Sequence, residues 1–161
     1  MDHAQSNADP SIRGRRAREV SDVTLYFAYG SNMARRQMAR RCPGAAVLGV
    51  VNLVGWRFII NTRGFATILP DTAGQVFGLL WRLAAGNDVA LDRYEGVDRR
   101  CYVRDWLDLA DHGRTLVYLA TDSAHGKPRD GYLEEILRAA EAEGLPDAYM
   151  AELAKWKSSG F

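Results

Sequence analysis

Residues Ala46–Leu83 read AVLGVVNLVGWRFIINTRGFATILPDTAGQVFGLLWRL, and this run decides the fold class. β-Branched, aromatic and other apolar residues dominate it, and Gly, Pro, Asn and Asp punctuate it. It therefore divides into four expected strands: Ala46–Val54, Trp56–Asn61, Phe65–Leu69 and Gln75–Leu83. Upstream, Thr24–Tyr29 (TLYFAY) reads as a further buried strand that stops at Gly30. Met33–Arg41 follows as a helix that closes before Pro43-Gly44. Downstream, Asp88–Glu95 reads as a short helix capped by Asn87 and ended by Gly96. Strands are expected at Tyr102–Leu109 and Thr115–Thr121, around an Asp111-His112-Gly113 turn. Tyr132–Glu143 and Pro146–Trp156 read as two amphipathic helices joined at Gly144. Many short strands with helices at particular places predict an α+β domain with a curled or barrel-like sheet.

The chain has 161 residues, enough for one compact domain and too few for two ordinary ones. Residues 1–22 are polar, with Arg13, Arg15, Arg16 and Arg18 set among Ser, Asn, Asp and Pro, and read as a flexible tail. The domain is expected to occupy residues 23–161. Basic side chains number 21 and acidic ones 20, so no strong global field points to nucleic acid or an acidic membrane surface. The longest apolar stretch, Ala45–Gly55, is broken by Gly49 and Asn52 and falls short of the ~20 residues of a membrane span. No apolar leader precedes Val23, and with only two cysteines the expectation is a cytoplasmic protein with free thiols. Cys42 and Cys101 have no CxxC partner, and His3, His112 and His125 lack ligand spacing, so neither a metal site nor a Ser-His-Asp triad is indicated.

Four elements could carry chemistry. Tyr29-Gly30-Ser31-Asn32 lies between a strand and a helix, where a glycine turn and exposed backbone N–H groups can make an anion-binding nest. Ser31 or Asn32 could equally serve only as the cap of the following helix. Glu95 ends a short helix, where the dipole and partial burial would raise its pKa and suit it to general acid–base work; a solvated helix-end carboxylate is the plain alternative. Tyr102, Tyr118 and Tyr132 come from separate elements and could line a pocket or simply pack. Thr62-Arg63-Gly64 reads as a hairpin turn whose arginine either faces solvent or meets a substrate.

The combination resembles the γ-glutamylcyclotransferase-like superfamily. The resemblance rests on Leu25–Met33 (LYFAYGSNM), Phe65–Pro70 (FATILP), Val76–Trp81 (VFGLLW), Leu91–Val97 (LDRYEGV) with Tyr102 seven positions after the glutamate, and Tyr132–Leu137. It covers roughly Thr24 to Trp156 in order. It implies a small mixed β-barrel with flanking helices, a small-molecule γ-glutamyl substrate and no cofactor. It also implies cleavage of a γ-glutamyl amide (peptide, amino acid or amine) to 5-oxoproline and a free amine. Carried over, Glu95 is the catalytic acid–base, Tyr29, Gly30, Ser31 and Asn32 hold the γ-glutamyl group, and Tyr102, Tyr118 and Tyr132 line the pocket. One departure is visible: the family often has Pro-Ser before the last of these tyrosines, whereas here Pro128 precedes Arg129. That change bears on the leaving-group side of the pocket. The alternative from a different class is a non-catalytic small-ligand or partner-binding module on the same fold.

Overall fold

A computed structural model describes residues 23–157 of the chain. The tail expected over residues 1–22 lies outside the described residues. Strands β1 (Thr24–Ala28), β2 (Ala46–Ile60), β3 (Ala66–Leu83), β4 (Tyr102–Leu109) and β5 (Gly113–Ala120) form one sheet in the order β2-β3-β1-β5-β4. The sheet is mixed, as expected: β1 runs antiparallel to β3, with Thr24 opposite Leu83 and Ala28 opposite Leu79, and parallel to β5. β2 and β4 are its two hydrogen-bonded edges, so strand pairing does not close it into a barrel. A bridge between Asn61 and His125 instead ties the end of β2 to the segment after β5.

The four strands expected between Ala46 and Leu83 are two long ones. Their register shifts between Val47 and Gly49 and between Val54 and Trp56. Gly55, which separates two of the expected strands, lies at one of these shifts with φ 95°, and Gly49, inside an expected strand, lies at the other with φ 144°, so the chain kinks at both without ending the strand. Opposite Gly55, residues 71–74 have no partner in the β2–β3 register, because Trp56 pairs with Pro70 and Val54 with Gln75.

Helices α1 (Arg35–Arg41), α2 (Asn87–Glu95), α3 (Tyr132–Glu143) and α4 (Asp147–Ala154) flank the sheet. α3 has the expected bounds and buries Leu133, Ile136, Ala139 and Ala140, an amphipathic stripe at helical spacing. Each of its larger apolar side chains contributes roughly 1.5–3 kcal/mol by burial. α2 begins one residue earlier than expected and is not capped by Asn87. Asn87 is its first residue, and its side chain accepts from the Ala84 N–H at 2.8 Å and donates to the Pro43 carbonyl at 3.3 Å. It therefore pins two loops beneath the helix. Gly96 terminates α2 in the left-handed region at φ 68°, as the sequence predicts. Among the described residues, no helix is long and apolar enough to cross a membrane.

Candidate active site

The loop after β1 is the floor of the site. A 3-10 turn occupies Ser31–Met33, and α1 starts only at Arg35, with Ala34 ahead of it and no side-chain cap. Neither Ser31 nor Asn32 therefore caps that helix. Met33 N–H donates to Gly30 O and Ala34 N–H to Ser31 O, both at 3.0 Å. The N–H groups of Gly30, Ser31 and Asn32 precede the first turn bond and have no acceptor within it.

Asn32 is 4% exposed, and both polar atoms of its side chain have partners. Its Nδ2 donates to the Tyr26 hydroxyl at 2.9 Å, and its Oδ1 accepts from Gln37 at 2.8 Å and Arg41 at 3.1 Å. Its carbonyl accepts from the Trp81 indole at 3.1 Å. Asn32 thus shapes the loop from behind. Gly30 keeps the loop open toward α3. A Cβ there would sit 3.5 Å from the Ala66 Cβ and 3.6 Å from the Tyr132 hydroxyl, so a longer side chain would fill that space.

Glu95 enters from the last turn of α2 and is partly buried. Among the described residues its carboxyl makes no hydrogen bond or ion pair. Burial pushes its pKa from the ordinary 4.5 up to about 7, and the nearby Arg41 guanidinium pulls partly the other way. α2 is clamped in place from the sheet side. The Tyr118 hydroxyl donates to Asp92 Oδ1 at 2.6 Å, and Arg104 reaches Asp92 at 2.9 Å and Asp88 at 3.0 Å.

The eight residues that the resemblance marks as the site meet at one recess of about 40 Å³: Glu95, Tyr29, Gly30, Ser31, Asn32, Tyr102, Tyr118 and Tyr132. Tyr26 and Ala66 complete it. The hydroxyls of its five tyrosines divide by their partners. Tyr29 donates to the Tyr118 carbonyl at 2.5 Å, Tyr102 to the Ala66 carbonyl at 2.5 Å, and Tyr118 to Asp92. Tyr132 instead accepts from the Ala66 N–H at 3.1 Å, and Tyr26 accepts from Asn32. Those two phenols keep their own protons to donate. Burial first, reinforced by the Glu95 charge, pushes the pKa of Tyr26 and Tyr29 upward, and burial with the neighbouring Tyr29 and Tyr132 does the same for Tyr102. Burial likewise raises Tyr118 and Tyr132, so all five stay protonated.

The recess shares Ser31, Glu95, Tyr102 and Tyr132 with a larger cavity of about 430 Å³. Arg41, Arg63, Arg99 and Arg129 stand in its wall, together with Gln37, Phe65, Cys101 and Glu135. Arg63 lies on the hairpin turn read from the sequence, but it faces this cavity, donating from Nη1 to Cys101 Sγ at 3.2 Å. That bond and the Arg63 charge hold the Cys101 thiol below its ordinary pKa, and both cysteines are free. Sequence reading missed Tyr26, although it lies three residues before Tyr29 in the same motif. It also missed Arg41 and Arg99, which arrive from separate segments and carry no local signature. Among the described residues, no three or more His, Cys, Asp and Glu side chains gather as a metal-ligand set.

The AIG2-like family matches residues 75–153. The chain is 30% identical over 143 residues to gamma-glutamylcyclotransferase of Homo sapiens, spanning 80% of this chain and 76% of that one. It is 28% identical over 151 residues to gamma-glutamylcyclotransferase of Mus musculus, spanning 85% and 80%. A solved structure titled gamma-glutamyl cyclotransferase superposes with a TM-score of 0.77 at 28% identity, over 86% of this chain and 90% of that one. On this identity, coverage and superposition, the chain belongs to the γ-glutamylcyclotransferase and AIG2-like superfamily.

Proposed function

We propose that this protein is a cofactor-independent γ-glutamylcyclotransferase with Glu95 as its acid–base group. The observation that carries the reading is the state of Glu95: partly buried, held by no partner among the described residues, and pushed to about pH 7 at the edge of a recess. A structural carboxylate would be paired. A group poised near neutral pH is suited to take a proton and return it.

The reaction needs few parts because the substrate brings its own nucleophile. The α-amine attacks the γ-carbonyl carbon, and the new C–N bond closes a five-membered ring. The scissile amide C–N bond then breaks, giving 5-oxoproline and a free amine. Holding the amine in attack geometry can supply roughly 7–11 kcal/mol of the barrier. A free α-amine has a pKa of about 8 and is largely protonated at neutral pH, so it must first lose a proton. Glu95 takes that proton and later delivers it to the departing nitrogen, a role worth about 10²–10⁴ in rate. The N–H groups of Gly30, Ser31 and Asn32 and the O–H groups of Tyr26 and Tyr132 are the donors for the substrate carboxylate or the developing oxyanion. One well-placed donor is worth about 10²–10³. The recess, at about 40 Å³, is the size of a carboxylate-like group, and the larger cavity accommodates the rest of the molecule.

The test is 5-oxoproline release from γ-glutamyl amino acids and γ-glutamyl amines. Release by the wild type from at least one compound is expected. A protein that binds these compounds or 5-oxoproline and turns over none of them would be a binding module instead.

A further inference from the structure

The outer cavity has an unbalanced wall. Four guanidinium groups, Arg41, Arg63, Arg99 and Arg129, face two carboxyls, Glu95 and Glu135. None of the four forms an ion pair among the described residues, and what sets them apart from other unpaired surface cations is that they stand together in one cavity wall. The chain as a whole is nearly neutral, at +1, so this concentration of positive charge is local.

Three of these side chains are also held in place. Arg41 donates to Asn32 Oδ1 at 3.1 Å and lies over the Tyr94 ring at 4.6 Å. Arg129 lies over the Phe65 ring at 4.5 Å and donates from Nε to the Arg63 carbonyl at 2.9 Å. Gly64 makes that crossing possible, since a Cβ at this left-handed position would stand 2.6 Å from Arg129 Cγ. Arg63 is fixed against Cys101. None of these contacts neutralises a charge, and each guanidinium has five N–H donors, so most remain available to the cavity. Crowded like charges repel, and an anion from outside relieves that repulsion. A guanidinium fork matches a carboxylate in particular.

Resting on the cyclotransferase reading, we propose that the preferred leaving amine is a dicarboxylate, an acidic amino acid or a short peptide with two carboxylates, held by Arg63, Arg99 and Arg129. The γ-glutamyl end then lies in the recess at Glu95, and the second carboxylate accounts for the arginines that a single carboxylate leaves unmatched. Cationic and neutral leaving amines are disfavoured by the same wall.

Isosteric pairs isolate the charge. γ-Glutamyl-glutamate and γ-glutamyl-glutamine differ by one carboxylate at nearly constant shape, and γ-glutamyl-putrescine supplies a cationic counterpart. The expected kcat/KM is at least tenfold higher for the glutamate conjugate than for the glutamine conjugate, lowest for the putrescine conjugate, and the gap narrows as salt rises. Replacing Arg63 and Arg129 with Gln should raise KM for the glutamate conjugate about tenfold and change the glutamine conjugate less than threefold. Calorimetric Kd values for the same pair, measured on the wild type and on Glu95→Gln, read the preference without turnover. A ratio within threefold, or a preference for the neutral or cationic conjugate, overturns the proposal. If the wild type turns over none of the three, the cyclotransferase reading fails for them, and the Kd ratio alone decides the charge preference.

Discussion

Two cavities formed by the described residues differ in kind, and the larger is not the one that holds Glu95. A cavity of about 540 Å³ lies between the bulged part of the β2–β3 hairpin and α4, lined by residues that include Arg57, Asp71, Tyr149, Glu152 and Lys155. The cavity beside Glu95 measures about 430 Å³. In the first, the charges are matched: Arg57 faces Asp71 at 3.8 Å and Lys155 faces Glu152 at 3.5 Å. In the second, four arginines have no carboxylate partner among the described residues, and Glu95 is unpaired with its pKa near 7. Volume follows from how a bulged hairpin meets a helix. Reactivity follows from polar groups that the fold buries or crowds without satisfying, because those alone gain when a ligand arrives.

Substitutions in the two cavities should therefore separate widely. The largest effect is expected from Glu95→Gln, which should lower kcat by about 10²–10⁴ or more while substrate still binds. Glu152→Gln in the larger cavity should leave steady-state kinetics unchanged. Equal losses from both would erase the contrast.

Glu95 should also weaken the fold it serves. Between its ordinary value of 4.5 and about 7, the native protein holds a proton that the unfolded chain releases. Stability from this group is therefore full below pH 4.5 and is lost as pH rises through 7. Glu95→Gln does not ionise, so at pH 8 it should be more stable than the wild type by up to ~3 kcal/mol, and that gap should shrink as pH falls toward 4.5. Denaturant titrations at a series of pH values measure it. A gap that is flat across pH, or that opens at low pH, would mean that Glu95 is a well-satisfied carboxylate.

A smaller loss is expected where the site is supported from behind. Asp92→Ala removes the acceptor of the Tyr118 hydroxyl and one partner of Arg104, and should destabilise the fold by about 1–3 kcal/mol. Because α2 carries Glu95, kcat should fall several-fold with KM nearly unchanged. The smallest effect belongs to Arg57→Gln, whose partly exposed pair should be worth less than ~1 kcal/mol in a thermal melt.

The sequence made the recess legible and the cavity around it hardly at all. Tyr29–Asn32 is one contiguous loop, and Glu95 stands beside a terminating glycine, so both announce themselves locally. Asn32 has a less direct role than its place in the loop suggests: its side chain is occupied in holding Tyr26, Gln37 and Arg41. Tyr118, likewise, has its hydroxyl on Asp92 and braces α2. The arginine wall comes from α1, the β2–β3 turn, the loop after α2 and the loop before α3, and only the folded chain brings those segments to one wall. The strands were misjudged for the opposite reason: Gly55 and the Pro70–Gly74 stretch have strong local signals for a break, and cross-strand pairing carried both strands past them.

The most direct test of the central claim is the pH dependence of 5-oxoproline release, measured as kcat/KM from pH 5 to 9 with Glu95→Gln alongside. The account predicts an acid limb that rises through about pH 7 in the wild type and no comparable release from the variant. An acid limb near 4.5, or undiminished release by Glu95→Gln, would contradict it.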